Sequence, residues 1–90
     1  MYNITEDQYR EVLERIVEEV SRKDYYSGKI TGSFTDGTDW ELRLTAMIYN
    51  DGWAIKDIVP VWWEFHTYDI EDEFINDFQF YEIREIIKGY

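Results

Sequence analysis

The sequence predicts an α+β fold in which an N-terminal helix packs on a four-stranded antiparallel meander sheet and a short C-terminal helix follows. Apolar residues recur at steps of three and four near the N-terminus, alternate with polar residues through the middle of the chain, and return to helical spacing at the end. Four Trp, eight Tyr and five Phe among 90 residues supply large side chains for one small core. We therefore expect a single domain spanning residues 1–90.

The first helix is predicted at about residues 6–22, because its N-terminus carries a capping signal. Thr5 and Gln8 have the spacing of a capping box, and Ile4 and Tyr9 have the spacing of a hydrophobic staple. The residues that follow place their apolar members on one face of the helix. That apolar face consists of Tyr9, Val12, Leu13, Ile16, Val17 and Val20.

Four strands and a second helix are predicted after the first helix. Alternating apolar and polar side chains mark the first three strands, and three phenylalanines mark the fourth. Ile83, Ile86 and Ile87 lie at helical spacing before Gly89, which indicates a short terminal helix. We predict the strands at about residues 25–35, 39–49, 53–67 and 73–80, and the helix at about 81–88.

Turn residues predict how the second and third strands pair. Asp51-Gly52 is typical of a two-residue hairpin turn, and a turn there pairs Ile48 with Ile55 and Trp40 with Trp63. Each of these pairs joins two apolar residues on one face of the sheet. We call this the inner face, and we expect the first helix to pack on it.

The Asp36-Gly37 turn requires a different loop. A two-residue loop there would set Phe34 opposite Asp39, which places an aromatic ring against a charge. A loop of odd length, or a bulge, sets Phe34 opposite Trp40 instead. We therefore predict an odd-length loop between the first two strands.

Three residues do not fit a regular sheet. Asp57 falls on the inner face opposite Ala46, where an unpaired carboxylate is costly. Either Lys56-Asp57 forms a bulge, which we favour, or Asp57 has a buried partner or a function. Pro60 has no N–H and is tolerated only where the strand pairing has stopped or is bulged. Asn76 interrupts the apolar face of the fourth strand.

Charge and composition exclude several classes of partner. Twenty acidic residues against nine basic ones give a formal net charge of −11. A surface this negative is repelled by nucleic acid and by anionic membranes, and it is attracted to basic proteins. The lack of cysteine excludes disulfides and Cys-based zinc sites. No secretory signal or membrane-spanning run is recognisable, so we expect a cytoplasmic protein.

No motif for catalysis, metal binding or cofactor binding is recognisable, and we predict a protein that is not an enzyme and uses no cofactor. His66 is the single histidine and shares a strand face with Glu64, which could make half of an acid/base pair. No nucleophile motif surrounds it, so we interpret His66 as solvated or partner-facing. The acidic residues within 69–73 lack the spacing of a calcium-binding loop, and we interpret them as a charged, solvated loop.

The leading functional hypothesis concerns the outer face of the sheet, opposite the first helix. Exposed apolar patches usually bind proteins, so we predict a module that binds a protein partner, or a second copy of itself, through this face. The open alternative is that the C-terminal helix covers part of the face. The apolar residues predicted there are Met47, Tyr49, Ile58, Trp62, Tyr68 and Ile75, and the predicted binding residues are Trp62, His66, Tyr68, Tyr49 and Ile58.

The acidic surface suggests an alternative function. Carboxylates spaced like phosphates can imitate DNA, so the chain could inhibit a nucleic-acid-binding enzyme by occupying its basic groove. The candidate residues lie along one side of the first helix and at the turns. They are Glu11, Glu14, Glu18, Asp36, Asp39 and Asp51.

Several segments resemble small proteins encoded in gut Bacteroides genomes, often on phage-like or conjugative elements. The segments are residues 30–34 (ITGSF), 40–46 (WELRLTA) and 59–67 (VPVWWEFHT), with 76–78 (NDF) extending the match. The resemblance implies a bacterial cytoplasm and a mobile-element context. It carries over no catalytic residue.

Overall fold

The computed structural model describes residues 1–89 and has the predicted α+β architecture. Two helices pack on one face of a four-stranded antiparallel meander with the strand order β1-β2-β3-β4. The elements are α1 (Glu6–Val20), β1 (Tyr25–Ser33), β2 (Asp39–Asn50), β3 (Ile55–Asp69), β4 (Asp72–Phe74) and α2 (Phe80–Lys88).

Helix α1 begins at the predicted capping box. The Thr5 hydroxyl accepts a hydrogen bond from the Gln8 backbone N–H at 3.2 Å, and the Gln8 side chain accepts one from the Thr5 N–H at 3.0 Å. The helix ends at Val20, two residues before the predicted end, since Arg22 has a left-handed backbone with φ of 65°. Val12 and Ile16 on its apolar face are fully buried.

Strands β1 and β2 pair without interruption from Tyr25 opposite Met47 to Ser33 opposite Asp39. The connecting loop has an odd length, as predicted, and the Phe34 N–H donates to the Thr38 carbonyl oxygen at 2.8 Å. The predicted pairing of Phe34 with Trp40 is wrong, because Gly32 lies opposite Trp40 instead. A Cβ atom at Gly32 would approach the Trp40 ring to 2.7 Å, so the ring occupies the space that a side chain would need.

The predicted two-residue turn at Asp51-Gly52 is wrong. Strands β2 and β3 are joined by a four-residue loop, residues 51–54, in which the Asp51 N–H donates to the Ala54 carbonyl oxygen at 3.2 Å. The Asp51 carboxylate also accepts from the Trp53 and Ala54 N–H groups at 2.9 and 3.0 Å. These bonds favour the wider loop, and the loop together with two irregularities in the pairing sets Leu44 opposite Trp63.

Two irregularities in the β2–β3 pairing change which face the β3 side chains occupy. Lys56 and Val61 have no partner on β2. Between these two residues the even-numbered side chains of β3 share the face of the even-numbered β2 residues, whereas from Trp62 onward the odd-numbered ones do. Ile58 therefore lies opposite Ile48 and is fully buried, so its predicted place on the outer face is wrong. Pro60 adjoins the second irregularity, as its missing N–H requires.

The fourth strand is shorter than predicted, since β4 has three residues and the chain leaves the sheet after Phe74. Phe78 is still buried, because its ring stacks on Phe65 with the centroids 4.0 Å apart. The Asn76 side chain takes the place of further strand pairing. Its Nδ2 donates to the Phe65 carbonyl oxygen and its Oδ1 accepts from the Phe78 N–H, both at 3.0 Å.

Helix α2 begins at Phe80 and packs against β3 and α1, so both helices cover the inner face. Ile83 and Ile87 are buried in the same core as the apolar face of α1. The alternative in which the C-terminal helix covers the outer face is therefore wrong. Neither helix among the described residues is long and apolar enough to cross a membrane.

Candidate functional site

The outer face of the sheet is not covered by any element in residues 1–89, because both helices lie on the inner face. Strand pairing places two groups of side chains on the outer face. We call the first group the apolar end, which consists of Tyr25, Met47, Tyr49, Val59 and Trp62. We call the second group the charged end, which consists of Lys29, Glu41, Arg43, Glu64, His66 and Glu73.

The apolar end is continuous across three strands. Met47 on β2 lies opposite Tyr25 on β1 and Val59 on β3, so these side chains form one row. Trp62 lies opposite Thr45 in the next row of the same face and keeps 51% of its surface exposed. Tyr49, beyond Met47 on β2, is 54% exposed. The outer face thus presents adjoining aromatic and aliphatic side chains to solvent.

The charged end is organised around His66. Its Nδ1 lies 2.5 Å from a Glu73 carboxylate oxygen on β4, and its Nε2 lies 2.7 Å from a Glu64 carboxylate oxygen on β3. The hydrogen bond to Glu73 is the main cause that raises the pKa of His66, and the bond to Glu64 adds to it against the opposing effect of burial. Both ring nitrogens face acceptors, so the arrangement favours the doubly protonated imidazolium.

A second group of charges completes this end of the face. The Glu41 carboxylate lies 3.2 Å from Nε of Arg43 and 3.6 Å from Nζ of Lys29 on the neighbouring strand. Tyr68 flanks His66, with its ring nearly parallel to the imidazole and the centroids 6.2 Å apart. Ion pairs and ring contacts therefore connect these side chains across the outer face.

Of the five predicted binding residues, the structure brings Trp62, Tyr49, His66 and Tyr68 onto the outer face and buries Ile58. Sequence reasoning missed Tyr25 and Val59 at the apolar end and Glu73 at the charged end. Val59 reaches the outer face only through the bulges, which the alternating pattern does not show. Glu73 was assigned to the acidic loop, and only the β3–β4 pairing brings it to His66.

Both ring nitrogens of His66 are engaged at the charged end. A general base needs a nitrogen free to accept a proton, and the carboxylates engage both nitrogens of His66. Within residues 1–89, no cluster of His, Asp and Glu side chains is placed to hold a metal ion.

The favoured bulge at Lys56 is present, and the predicted place of Asp57 opposite Ala46 is wrong, because the bulges set it opposite Tyr49. Asp57 adjoins the irregularity at Lys56, and its carboxylate also accepts two hydrogen bonds from Arg84 on α2, at 3.0 and 2.9 Å. The bonds from Arg84 are the main cause that lowers the pKa of Asp57. The pair ties β3 to α2. Sequence reasoning missed Arg84 because 27 residues separate it from Asp57.

Most of the acidic residues proposed for DNA mimicry have bonding partners within the chain. Glu11 accepts from the backbone N–H and the hydroxyl of Thr35 at 3.1 and 2.8 Å. Asp36 accepts from Tyr2, and Asp39 accepts from Ser33. The loop N–H groups that Asp51 accepts from lower its pKa to about 2. These carboxylates shape turns and loops, and mimicry stays a prediction.

The fold and the site define an open-faced α+β sandwich, with both helices on one side of the sheet and a bare outer face. Comparison of the chain with protein-family models, with curated proteins and with solved structures gives no match. The functional argument therefore depends on the geometry of the surface.

Proposed function

We propose that this chain is a non-enzymatic interaction module that binds a protein partner through the outer face of its sheet. One observation carries the proposal: α2 packs beside α1 on the inner face, which leaves Trp62 half exposed beside the row formed by Tyr25, Met47 and Val59. A half-exposed Trp within an apolar patch is typical of a binding hot spot.

The charges indicate the chemistry of the partner. Glu64, two residues from Trp62 on the same strand face, and Glu73, which bonds to His66, keep exposed carboxylate surface. A complementary protein would place apolar side chains over the apolar end and basic side chains over these carboxylates. A second copy of the chain is disfavoured, since each copy carries a net charge of −11 and association would bring like charges together.

The test compares two tryptophans on different surfaces. Trp62 lies on the outer face, whereas Trp53 lies at the tip of the β2–β3 loop and is 95% exposed. A partner is first captured with the wild-type chain, identified and purified, and its affinity is then measured for W62A and W53A. We expect W62A to weaken binding by about 30-fold, the effect of a hot-spot residue, and W53A to leave affinity unchanged.

Equal affinity for W62A and wild type would exclude the outer face as the binding surface. Loss of binding in W53A alone would move the surface to the β2–β3 loop. Circular dichroism and thermal melting of both variants show whether the fold is kept, and light scattering shows whether the chain binds itself instead of a partner.

A further inference from the structure

The second feature that points to a partner is the free edge of the sheet at β1. Strand β1 is the first in the order β1-β2-β3-β4, and its nine residues pair with β2 in an unbroken register. It contains no proline, and its only charged residue is Lys29. Long regular edges of this kind are templates for pairing with another strand, and proteins usually protect them.

The opposite edge of the sheet is paired over part of its length. There β4 pairs with residues 67–69 of β3, and the Asn76 side chain donates to the Phe65 carbonyl oxygen beyond it. Along β1 no strand of residues 1–89 pairs with the free side.

Alternation along β1 shows which backbone groups are free. The Asp24 carbonyl oxygen accepts from the Ile48 N–H, and the Phe34 N–H donates to Thr38, so the even-numbered residues of β1 direct their backbone groups to β2. The odd-numbered residues direct theirs to the free edge. These residues are Tyr25, Ser27, Lys29, Thr31 and Ser33.

One side chain already occupies part of this edge. Arg15 on α1 donates from Nε to the Thr31 carbonyl oxygen at 3.2 Å. Its other nitrogens contact Glu18 and Glu19 at 2.5 and 3.3 Å. The Arg15 side chain therefore donates to a carbonyl oxygen that could otherwise accept from the backbone N–H of an added strand.

The hollow beside the edge is acidic. Glu11, Glu14, Arg15 and Glu18 of α1 line it together with Gly32 of β1. Three carboxylates and one guanidinium line it; Glu18 is paired with Arg15, and Glu14 and Glu18 are exposed. Alternate residues of a strand repeat at about 6.8 Å, which is close to the rise of about 6 Å between residues four apart on a helix. Glu14 and Glu18 therefore match the repeat of alternate side chains on an added strand.

We propose that the β1 edge binds an extended peptide segment that carries Lys or Arg at alternate positions. The peptide adds to the sheet as a fifth strand through the backbone groups of Tyr25, Ser27 and Lys29, and its basic side chains lie against Glu14 and Glu18. Backbone pairing supplies affinity, and the alternate charges supply specificity. This surface is separate from the outer face and does not depend on the function proposed for it.

Charge argues against a second copy of the chain as the occupant. Antiparallel pairing of two β1 strands places both α1 helices on the same side of the joined sheet, related by a two-fold axis. The Glu14 and Glu18 side chains of the two copies would then face each other across that axis, with only one Arg15 in each copy to offset them. A basic peptide brings the opposite charge to the same place.

The experiment uses a fluorescein-labelled peptide of alternating lysine and threonine, of about nine residues to match β1. Fluorescence anisotropy at low ionic strength measures its affinity for the full chain. Two control peptides separate charge from backbone pairing: one replaces each lysine by glutamate, and one replaces each threonine by proline, which keeps the charge and removes N–H donors. We expect only the lysine–threonine peptide to bind.

Substitutions on α1 should act in opposite directions. The double variant E14Q/E18Q should weaken binding by about tenfold, since it removes two charge contacts. R15Q should strengthen binding, because it removes a like charge and frees the Thr31 carbonyl oxygen. W62A should leave peptide binding unchanged, which separates a failure here from a failure of the proposed outer-face function.

Amide hydrogen exchange locates the peptide without any substitution. In the free chain the amides of Ser27 and Lys29 should exchange fast, and those of Gly28 and Ile30 slowly. Added peptide should slow the exchange of Ser27 and Lys29. Binding without this protection would mean that charge alone holds the peptide, and it would overturn the proposal. Absence of binding, or binding of the proline peptide with equal affinity, would overturn it as well.

Discussion

His66 connects two strands through its charge. It lies on β3 and contacts Glu73 on β4, the short strand that holds the end of the meander. The sequence placed His66 and Glu64 on one strand face, because residues two apart along a strand share a face. It could not identify Glu73, which is brought to His66 by strand pairing. The single histidine therefore has a structural role beside any contact with a partner.

The first prediction is that unfolding stability falls as the pH rises through the folded-state pKa of His66. Because that pKa is raised above the ordinary histidine value of 6.5, protonated His66 stabilises the fold fully below pH 6.5. The contribution is lost as the pH rises through the folded-state pKa. Urea unfolding across this range measures the stability, and NMR titration of the single histidine gives the pKa directly.

The variant H66Q is the control, since it removes the titration and keeps a polar side chain. Its stability should change little over the same pH range. An NMR pKa at or below 6.5 would contradict the contacts with Glu64 and Glu73 and would remove His66 as the cause of any pH dependence.

Asp57 on β3 and Arg84 on α2 form an ion pair that joins the two elements through two hydrogen bonds. The side chains of Asp57 and Arg84 are 21% and 31% exposed. We predict that D57A destabilises the fold by about 2 kcal/mol, because it removes two charge-assisted hydrogen bonds and leaves Arg84 without this partner. Urea unfolding measures the difference.

The matched control is the exposed pair of Lys56 and Asp51 at the β2–β3 loop, where K56Q should cost much less than D57A does. The pKa of Asp57 is lowered in the fold, so its contribution is present above the unfolded pKa and is lost as the pH falls through the folded one. A D57A variant as stable as wild type at neutral pH would show that the pair contributes nothing to stability.

The elements differ in how far their boundaries follow from local sequence. Helix α1 was predictable at its start, since the capping box depends on residues three apart. The end of the meander was not, because three phenylalanines at alternating positions resemble a strand. Phe78 lies outside any strand and is buried because its ring stacks on Phe65. The alternation of phenylalanines therefore reflects burial and not strand pairing.

Asn76 is the residue that replaces strand pairing at this point. We predict that N76A destabilises the fold by about 1–3 kcal/mol, because the Phe65 carbonyl oxygen and the Phe78 N–H lose their partners. The exposed Asn3 gives a matched control, and N3A should change stability by less than about 0.5 kcal/mol. Thermal unfolding of the two variants measures the contrast. Equal melting temperatures would mean that water replaces the Asn76 bonds at no cost.

The element that sequence reasoning described least well is β3. A strand with one buried face should keep its apolar residues at one parity, and the predicted register relied on that rule. Lys56 and Val61 each add one unpaired residue and reverse the parity twice. The outcome is a buried Ile58 and a Val61 that is 69% exposed.

At the scale of the whole molecule, the two surfaces that we propose for partners are separate. The outer face combines apolar side chains with fixed charges, whereas the β1 edge offers backbone groups beside an acidic helix. Binding at the outer face should resist salt because apolar burial supports it, and peptide binding at the edge should weaken as salt rises. Affinities measured at low and high salt for W62A and E14Q/E18Q test whether the two surfaces act independently.

The same salt series bears on the mimicry hypothesis. A DNA mimic would bind a basic groove through many carboxylates, so its affinity should fall steeply with salt. Reversal of Glu11, Glu14 and Glu18 to lysine should then abolish inhibition of a nucleic-acid-binding enzyme. Inhibition that survives the reversal would remove α1 from that hypothesis.

The sequence alone determined the fold class, the order of the elements and the start of α1, because capping and hydrophobic periodicity act between residues close in the chain. Only the tertiary structure decided which β3 side chains are buried, which face α2 covers, and which partners Asp57 and His66 have. These outcomes depend on bulges and on contacts between residues far apart in sequence. Local patterns carry no information about such contacts, since packing selects among registers that leave similar apolar residues buried.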